Sequence, residues 1–181
     1  LKVMADFSEK NPEKLETLAQ TNKDQVEKLT VAAVQKASTS NEDAGLIAKV
    51  VAVANDELAN KVVEEVSKSA TEEKQSLSAK VLKAIVDTEP SKIEILNEEI
   101  KTTVISQAIE AANNQEEGST NDEVDLSNVV AEIVTKADNE TAAKVLETLD
   151  EATSNTDSKL ALNVVNNLTK QENYEEKIEI L

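Results

Sequence analysis

The sequence predicts an all-α protein built as tandem helical hairpins, which form an elongated α-solenoid-like array or a rigidly joined array of helical bundles. Three observations predict this class: helical apolar spacing along nearly the whole chain, very few helix-breaking residues, and a long internal repeat. The 181 residues include only two Gly and two Pro, the residues that punctuate strands and turns. Ala, Glu, Lys and Leu, which favour helix, are plentiful.

Each stretch of apolar residues at three- and four-residue spacing predicts one helix. The clearest ridge is Leu58, Val62, Val66 and Ala70, with Val63 beside it and Glu64, Glu65 and Lys68 expected to face water. Its counterpart is Ala142, Val145, Leu146 and Leu149, with Glu147 and Asp150 toward water. The first residues are predicted to belong to a helix, and further helices are predicted at 12–20, 22–38, 42–54, 56–70, 73–87, 91–113, 124–137, 140–153, 156–169 and 173–181.

Helix-start signals accompany several of these stretches. Asn11 precedes Pro12, which gives an N-cap residue followed by Pro at the first helical position. Pro90 likewise suits a first turn. Two pairs have the spacing of a capping box: Asn22 with Gln25, and Thr120 with Glu123.

The internal repeat emerges when the chain is displaced along itself. At a displacement of 83 residues, Leu46-Ile47 falls on Val129-Val130, Lys61-Val62-Val63-Glu64 on Lys144-Val145-Leu146-Glu147, and Val81-Leu82 on Val164-Val165. Earlier in the unit the displacement is 78, which aligns Pro12 with Pro90 and Leu18 with Leu96. The loop 115–123 carries the extra residues. Segment 92–96 recurs at 177–181, and 1–6 resembles 82–87. Such self-similarity is typical of repeat architectures.

These matches predict four segments. Residues 1–11 are the tail of a preceding repeat unit, 12–89 are unit one, 90–174 are unit two, and 175–181 are the start of a further unit. A weaker period of 31–32 residues inside each unit predicts αα-hairpins. The junctions 8–11, 88–89 and 171–173 hold no Gly/Ser linker, so a stiff rod is favoured over independent, flexibly joined domains.

Composition argues against binding to anionic partners, membrane insertion and enzymatic activity. The basic residues are 19 Lys, with no Arg, against 36 Asp and Glu, for a net charge of −17, which disfavours nucleic acid and anionic membrane surfaces. No run is apolar over enough residues to span a bilayer, so no membrane insertion is expected.

His and Cys are missing, and two Gly cannot build a phosphate-binding loop. The chain is therefore predicted not to be an enzyme, with no catalytic, cofactor-binding or metal residues assigned and no cofactor. The acid pairs Glu64/Glu65, Glu98/Glu99, Glu116/Glu117 and Glu175/Glu176 are interpreted as solvated helix faces.

Oxygen ligands for a weak divalent-cation site are the one chemical alternative. The predicted long loop contains Asn121, Asp122, Glu123 and Asp125. The equivalent place in unit one contains Asn41, Glu42 and Asp43, and such oxygen ligands suit a hard divalent cation. Acids at a helix start, favoured by the helix dipole, are the preferred interpretation of both clusters.

The function predicted from these observations is a non-enzymatic structural segment, such as a stalk, spacer or filament component, of a larger acidic tandem-repeat protein. Its predicted partners are neighbouring repeats or other protein chains, and the cell surface or extracellular space is the favoured location. The alternatives are an α-solenoid scaffold that binds a protein or peptide, an acidic cation-binding surface module, and an acidic mimic of nucleic acid. Helix 42–54 is apolar over a wide arc, which predicts packing between two neighbours more than a binding groove.

Overall fold

The computed structural model describes residues 1–70, 74–116, 124–154, 158–171 and 175. These residues form eleven α-helices and no strand, which confirms the all-α class. The helices are α1 Lys2–Lys10, α2 Pro12–Thr21, α3 Lys23–Gln35, α4 Asn41–Val53, α5 Asp56–Ser69, α6 Gln75–Thr88, α7 Ser91–Glu94, α8 Glu98–Glu116, α9 Leu126–Lys136, α10 Asn139–Thr153 and α11 Leu160–Leu168.

Contacts between helices order them into two rows. In the first row α1, α4, α6, α9 and α11 follow one another, each packed on the next. In the second row α3, α5, α8 and α10 do the same. Contacts of α4 with α5, α6 with α8, α8 with α9, and α9 with α10 join the two rows. One continuous apolar cluster fills the space between them, from Ala5 to Leu168.

The core is aliphatic because the sequence offers almost no aromatic residues. Its largest fully buried side chains are Ile, Leu and Val, such as Ile47, Leu77 and Ile133. Three residues of the predicted ridge on α5 are buried, with Leu58, Val62 and Val66 at most 3% exposed, whereas Ala70 is the half-buried C-cap of the helix. Helix α4 packs between α1 and α6, as its wide apolar arc requires.

Glu65 does not face water as predicted. It is 7% exposed, and its carboxylate accepts a hydrogen bond of 2.7 Å from Gln35 Nε2. Because α3 packs beside α5, the flank of α5 that carries Glu65 is covered. The amide of Gln35 compensates part of the cost of burying this carboxylate.

The helix predicted at 91–113 is broken into α7 and α8. Asn60 on α5 supplies partners for backbone groups that the break frees: its Nδ2 donates to Ile95 O at 3.0 Å, and its Oδ1 accepts from Asn97 N at 2.7 Å. Buried backbone groups need such partners, so Asn60 makes the break tolerable.

Helix starts follow the sequence signals only in part. Helix α2 begins at Pro12 as predicted, but neither Asn11 nor Asn22 makes a side-chain capping bond, so the Asn22–Gln25 capping box is not formed. Both residues have ψ of 40–55°, because each also ends the preceding helix. The side chains that do cap are Ser40, Asn55, Asp125 and Asp138, at the starts of α4, α5, α9 and α10. The pair Thr120–Glu123 and most of the helix predicted at 173–181 lie outside the described residues.

Candidate interaction surface

An open groove of ≈ 730 Å³ lies between α3, α5 and the start of α8. Most of the side chains that line it are charged or polar, and its apolar part comes from Ile95 and Ile100, which are half-buried. The carboxylates outnumber the lysines in this lining: Asp24, Glu27, Asp56, Glu57 and Glu64 stand against Lys23 and Lys61. We call this site the α3–α5 groove.

An ion pair between Lys23 and Glu57 crosses the groove from α3 to α5. The hydrogen bond to Glu57 raises the pKa of Lys23 above its ordinary value. The two side chains are 48% and 64% exposed, so solvent screens the pair and its contribution to stability is small.

Glu64 lies between two lysines of its own helix. It is bonded to Lys68 and, at 2.9 Å, to Lys61. Hydrogen bonds from Lys68 and Lys61 lower the pKa of Glu64, and the bond to Glu64 raises the pKa of Lys61. Both groups therefore hold their charges near neutral pH, which is the opposite of what general acid–base catalysis needs.

The other acid pairs named from the sequence are divided between helix surfaces and undescribed parts of the chain. Glu98 bonds to Lys101 at 3.1 Å and to Lys144 at 3.2 Å, which links α8 to α10. Hydrogen bonds from Lys101 and Lys144 lower the pKa of Glu98. The pairs Glu116/Glu117 and Glu175/Glu176 extend outside the described residues.

Two residues of the cation candidates serve helix starts. The Asp43 carboxylate accepts from the hydroxyl and the backbone N–H of Ser38, both at 2.7 Å, and these bonds lower its pKa. Asp125 caps α9 by accepting from Asn128 N at 3.1 Å. Asn121, Asp122 and Glu123 lie outside the described residues. Within the described ranges, no group of three or more Asp and Glu side chains is placed to hold a metal ion.

A second kind of surface lies at the two ends of the helix rows. The exposed large aliphatic side chains of the described residues are Val3, Leu18 and Leu29 on α1–α3 and Leu162 and Val165 on α11. We call Leu18 and Leu29 the head face and Leu162 and Val165 the tail face. Leu29 is 65% exposed and Leu162 is 61% exposed. Sequence reasoning missed both faces, because apolar spacing predicts a stripe without showing whether anything covers it.

None of the described helices is both long and apolar enough to cross a membrane. No protein family, curated protein or solved structure matches this chain. The interpretation of its surfaces therefore depends on the geometry alone.

Proposed function

We propose that this chain is a non-enzymatic structural segment, a stiff spacer of stacked helical hairpins within an acidic tandem-repeat protein. The observation that carries the proposal is that side-chain hydrogen bonds between helices join each hairpin to its neighbours in the sequence. Side-chain hydrogen bonds between neighbouring hairpins join residues 29 positions apart, as in Ser78–Gln107, up to 49 positions apart, as in Lys136–Asp87. Contacts restricted to neighbours are typical of stacked repeats.

Polar side chains donate hydrogen bonds to backbone carbonyls of the neighbouring hairpin. Lys92 Nζ donates to Ala54 O, the C-cap of α4, at 2.6 Å. Gln107 Nε2 donates to Ser67 O in the last turn of α5 at 2.9 Å, and Lys74 Nζ donates to Ala37 O just beyond α3 at 2.8 Å. Carbonyls at helix C-termini lack intrahelical partners, and cations are favoured there. These bonds oppose sliding and bending between hairpins, which supports a rod over a flexible string.

The proposed repeat is supported by matching turns. Ala54 and Ala137, which are 83 residues apart, both end a helix with φ −72° and ψ 151° or 165°. Asn55 and Asp138 then cap α5 and α10 with nearly the same backbone angles. The division into units 12–89 and 90–174 is proposed on this basis. Helix α6 of unit one packs directly on α8 and α9 of unit two, which favours stacked hairpins over separate bundles.

Small-angle X-ray scattering tests the proposal. A compact globule of this length would have a radius of gyration of about 16 Å. We expect a clearly larger value and a pair-distance distribution with a long tail. A chain extended by another copy of residues 90–174 should lengthen the particle without thickening its cross-section. A symmetric distribution near the compact value would overturn the proposal.

A binding scaffold is the second candidate, and the α3–α5 groove favours it. The excess of carboxylates in this groove suits a Lys- or Arg-rich segment of a partner protein. Titration with a Lys-rich helical peptide should then show binding that weakens when Asp24 and Asp56 are changed to Asn. Exposed acids on other helices, such as Glu147 and Asp150 changed to Gln and Asn, provide the matched control. Equal loss in both variants would indicate attraction to net charge alone.

A further inference from the structure

We propose that two polar pairs make α11 specific for α9, so that it does not stack on α4, the equivalent helix of unit one. The pairs are Asn167 with Ser127 and Gln171 with Asn128. This inference rests on the proposed array of stacked hairpins and names the neighbour that one of its helices selects. The four side chains are the specificity-determining residues of the junction between α9 and α11.

The apolar faces of the two junctions do not distinguish α9 from α4. At a displacement of 83 residues, the packed pair α4 and α6 corresponds to the packed pair α9 and α11. The buried stripes of these helices match in register and in the size of their side chains. The stripe of α11 is Leu160, Val164 and Leu168, and that of α6 is Leu77, Val81 and Ile85. The stripe of α9 includes Val130, Ile133 and Val134, and that of α4 includes Ile47, Val50 and Val51. Burial of apolar area alone would therefore favour α11 on α4 about as well as on α9.

Polar groups of α9 and of the end of α11 pair with one another. Asn167 Nδ2 donates to Ser127 Oγ at 3.0 Å. Ser127 is only 2% exposed, and its hydroxyl donates in turn to Asp125, the N-cap of α9, at 2.6 Å. Just beyond the end of α11, Gln171 Nε2 donates to Asn128 Oδ1 at 3.2 Å. The amides of both Asn167 and Gln171 therefore have partners on α9.

The junction between α4 and α6 carries different residues at these positions. Ala44 and Gly45 take the places of the two α9 residues, and Ala84 and Thr88 take the places of the two amides. The hydroxyl of Thr88 donates to Ala84 O of its own helix at 2.7 Å, so this group is satisfied within α6. If α11 stacked on α4, its two half-buried amides would face Ala and Gly, which have no side-chain donor or acceptor. Loss of these partners opposes the wrong pairing.

The junction between α4 and α6 also has a polar contact that α11 does not reproduce. Lys80 on α6 is 7% exposed, and its Nζ donates to Thr39 O, just before α4, at 2.7 Å. At the position of Lys80, α11 carries Asn163, whose side chain is shorter than that of lysine. Stacking of α11 on α4 would therefore remove the lysine donor of Thr39 O. Each junction thus combines a common apolar stripe with polar contacts that fit one pairing only.

Hydrogen exchange of the backbone amides of 160–168, measured in the full chain, tests the inference. Ser127→Ala with Asn128→Gly gives α9 the two residues that α4 carries, so this variant presents α11 with an α4-like surface. We expect the opening equilibrium constant of α11 to rise by about tenfold, because two hydrogen bonds are lost. Adding Asn167→Ala and Gln171→Thr, the residues of α6, should return it to within about threefold of the unmodified chain, because no amide is then left without its partner.

Two further variants serve as controls. Asn166→Ala changes an exposed residue of α11 and should leave exchange unaltered. Asn128→Ala in place of Asn128→Gly should give the same result, which separates loss of the pair from weakening of α9 by glycine. Circular dichroism should show full helix content in every variant.

The α11 half alone, Asn167→Ala with Gln171→Thr, completes a double-mutant cycle with the α9 half. If the four-residue variant opens as far as the product of the two halves, the residues act separately and the inference is overturned. An α4-like surface that holds α11 as tightly as the unmodified α9 does would also overturn it. Small-angle scattering would still report the elongation of the chain in either case, so failure of this inference is separable from failure of the structural proposal.

Discussion

Gly45 lies in the second turn of α4, where a glycine weakens the helix and gains nothing from its small size. A Cβ at this position would meet no atom within 4 Å. Gly45→Ala should therefore raise the free energy of unfolding by about 0.5–1 kcal/mol, because Ala restricts the unfolded chain and favours helix. Urea denaturation measures the change, and Gly45→Ser should fall between the two. A loss of stability in the Ala variant would contradict the open space seen beside this residue.

Residue type alone did not identify the residues that cap helices. Asn11, Asn22 and Asn55 all stand immediately before a helix, yet only Asn55 accepts a capping bond. Asn55 follows the extended residue Ala54 and is itself extended, with ψ 166°. A single residue separates α1 from α2 and α2 from α3, so Asn11 and Asn22 cannot reach that conformation. Glu65 shows the same limit, since periodicity places it on a flank and only the neighbouring helix decides that the flank is buried.

At the scale of elements, the position of most helices could be predicted because each carries its own apolar stripe. The break between α7 and α8 was missed because the stripe continues through it. A local signal was present: Asn97 precedes Glu98 and Glu99, the pattern of a helix start with acids in the first turn. The partner that stabilises the break is Asn60, which is 35 residues from Ile95 in the chain. Spacing along one segment cannot reveal such a partner.

The start of α10 offers a test of capping at a junction between hairpins. Asp138 accepts from Thr141 N at 2.9 Å and from the Thr141 hydroxyl at 2.7 Å. Asp138→Ala should lower the free energy of unfolding by about 1 kcal/mol, since the first turn loses its acceptor. Asp138→Asn should retain most of the stability, because Asn55 caps α5 in the same way. Chemical denaturation of both variants measures these changes in the free energy of unfolding, with Glu147→Ala at an exposed position as control. Equal losses in the Asn and Ala variants would argue against the cap.

At the scale of the whole molecule, the sequence predicted the all-α class and the covering of α4 on both sides. It did not predict the order of helices in the two rows or the location of the groove. A stripe such as Leu58, Val62 and Val66 fixes which side of a helix is buried, but many partners would bury it equally well. The α3–α5 groove and the two end faces depend on the packing of helices distant in sequence, so they emerge only from the assembled structure.

Stability should be nearly independent of pH between about 6 and 9, because the chain has no His and no Cys to titrate there. Burial raises the pKa of Asp87, but hydrogen bonds from Lys136 and Lys83 outweigh it, so the folded pKa lies below the ordinary value. A lowered carboxyl pKa contributes stability that is present above about pH 4 and is lost as pH falls through the folded pKa. For Lys83, hydrogen bonds to Asp87 and Glu132 outweigh burial and raise the pKa, so its contribution is lost only as pH rises above about 10.4.

Thermal unfolding midpoints measured from pH 2 to 11 test this profile. We expect a plateau that falls at both extremes, and Asp87→Asn should lower the plateau and make the acid fall shallower, because the variant has no carboxyl to protonate at this position. Protonation of the remaining acids also relieves the repulsion of a chain with net charge −17, which acts in the opposite direction. The difference between the two proteins at each pH isolates the contribution of the ion pairs from that general effect. A step between pH 6 and 9 would contradict the predicted plateau. An Asp87→Asn profile parallel to that of the unmodified chain would show that the bonds of Asp87 with Lys83 and Lys136 do not stabilise the contact between α6 and α9.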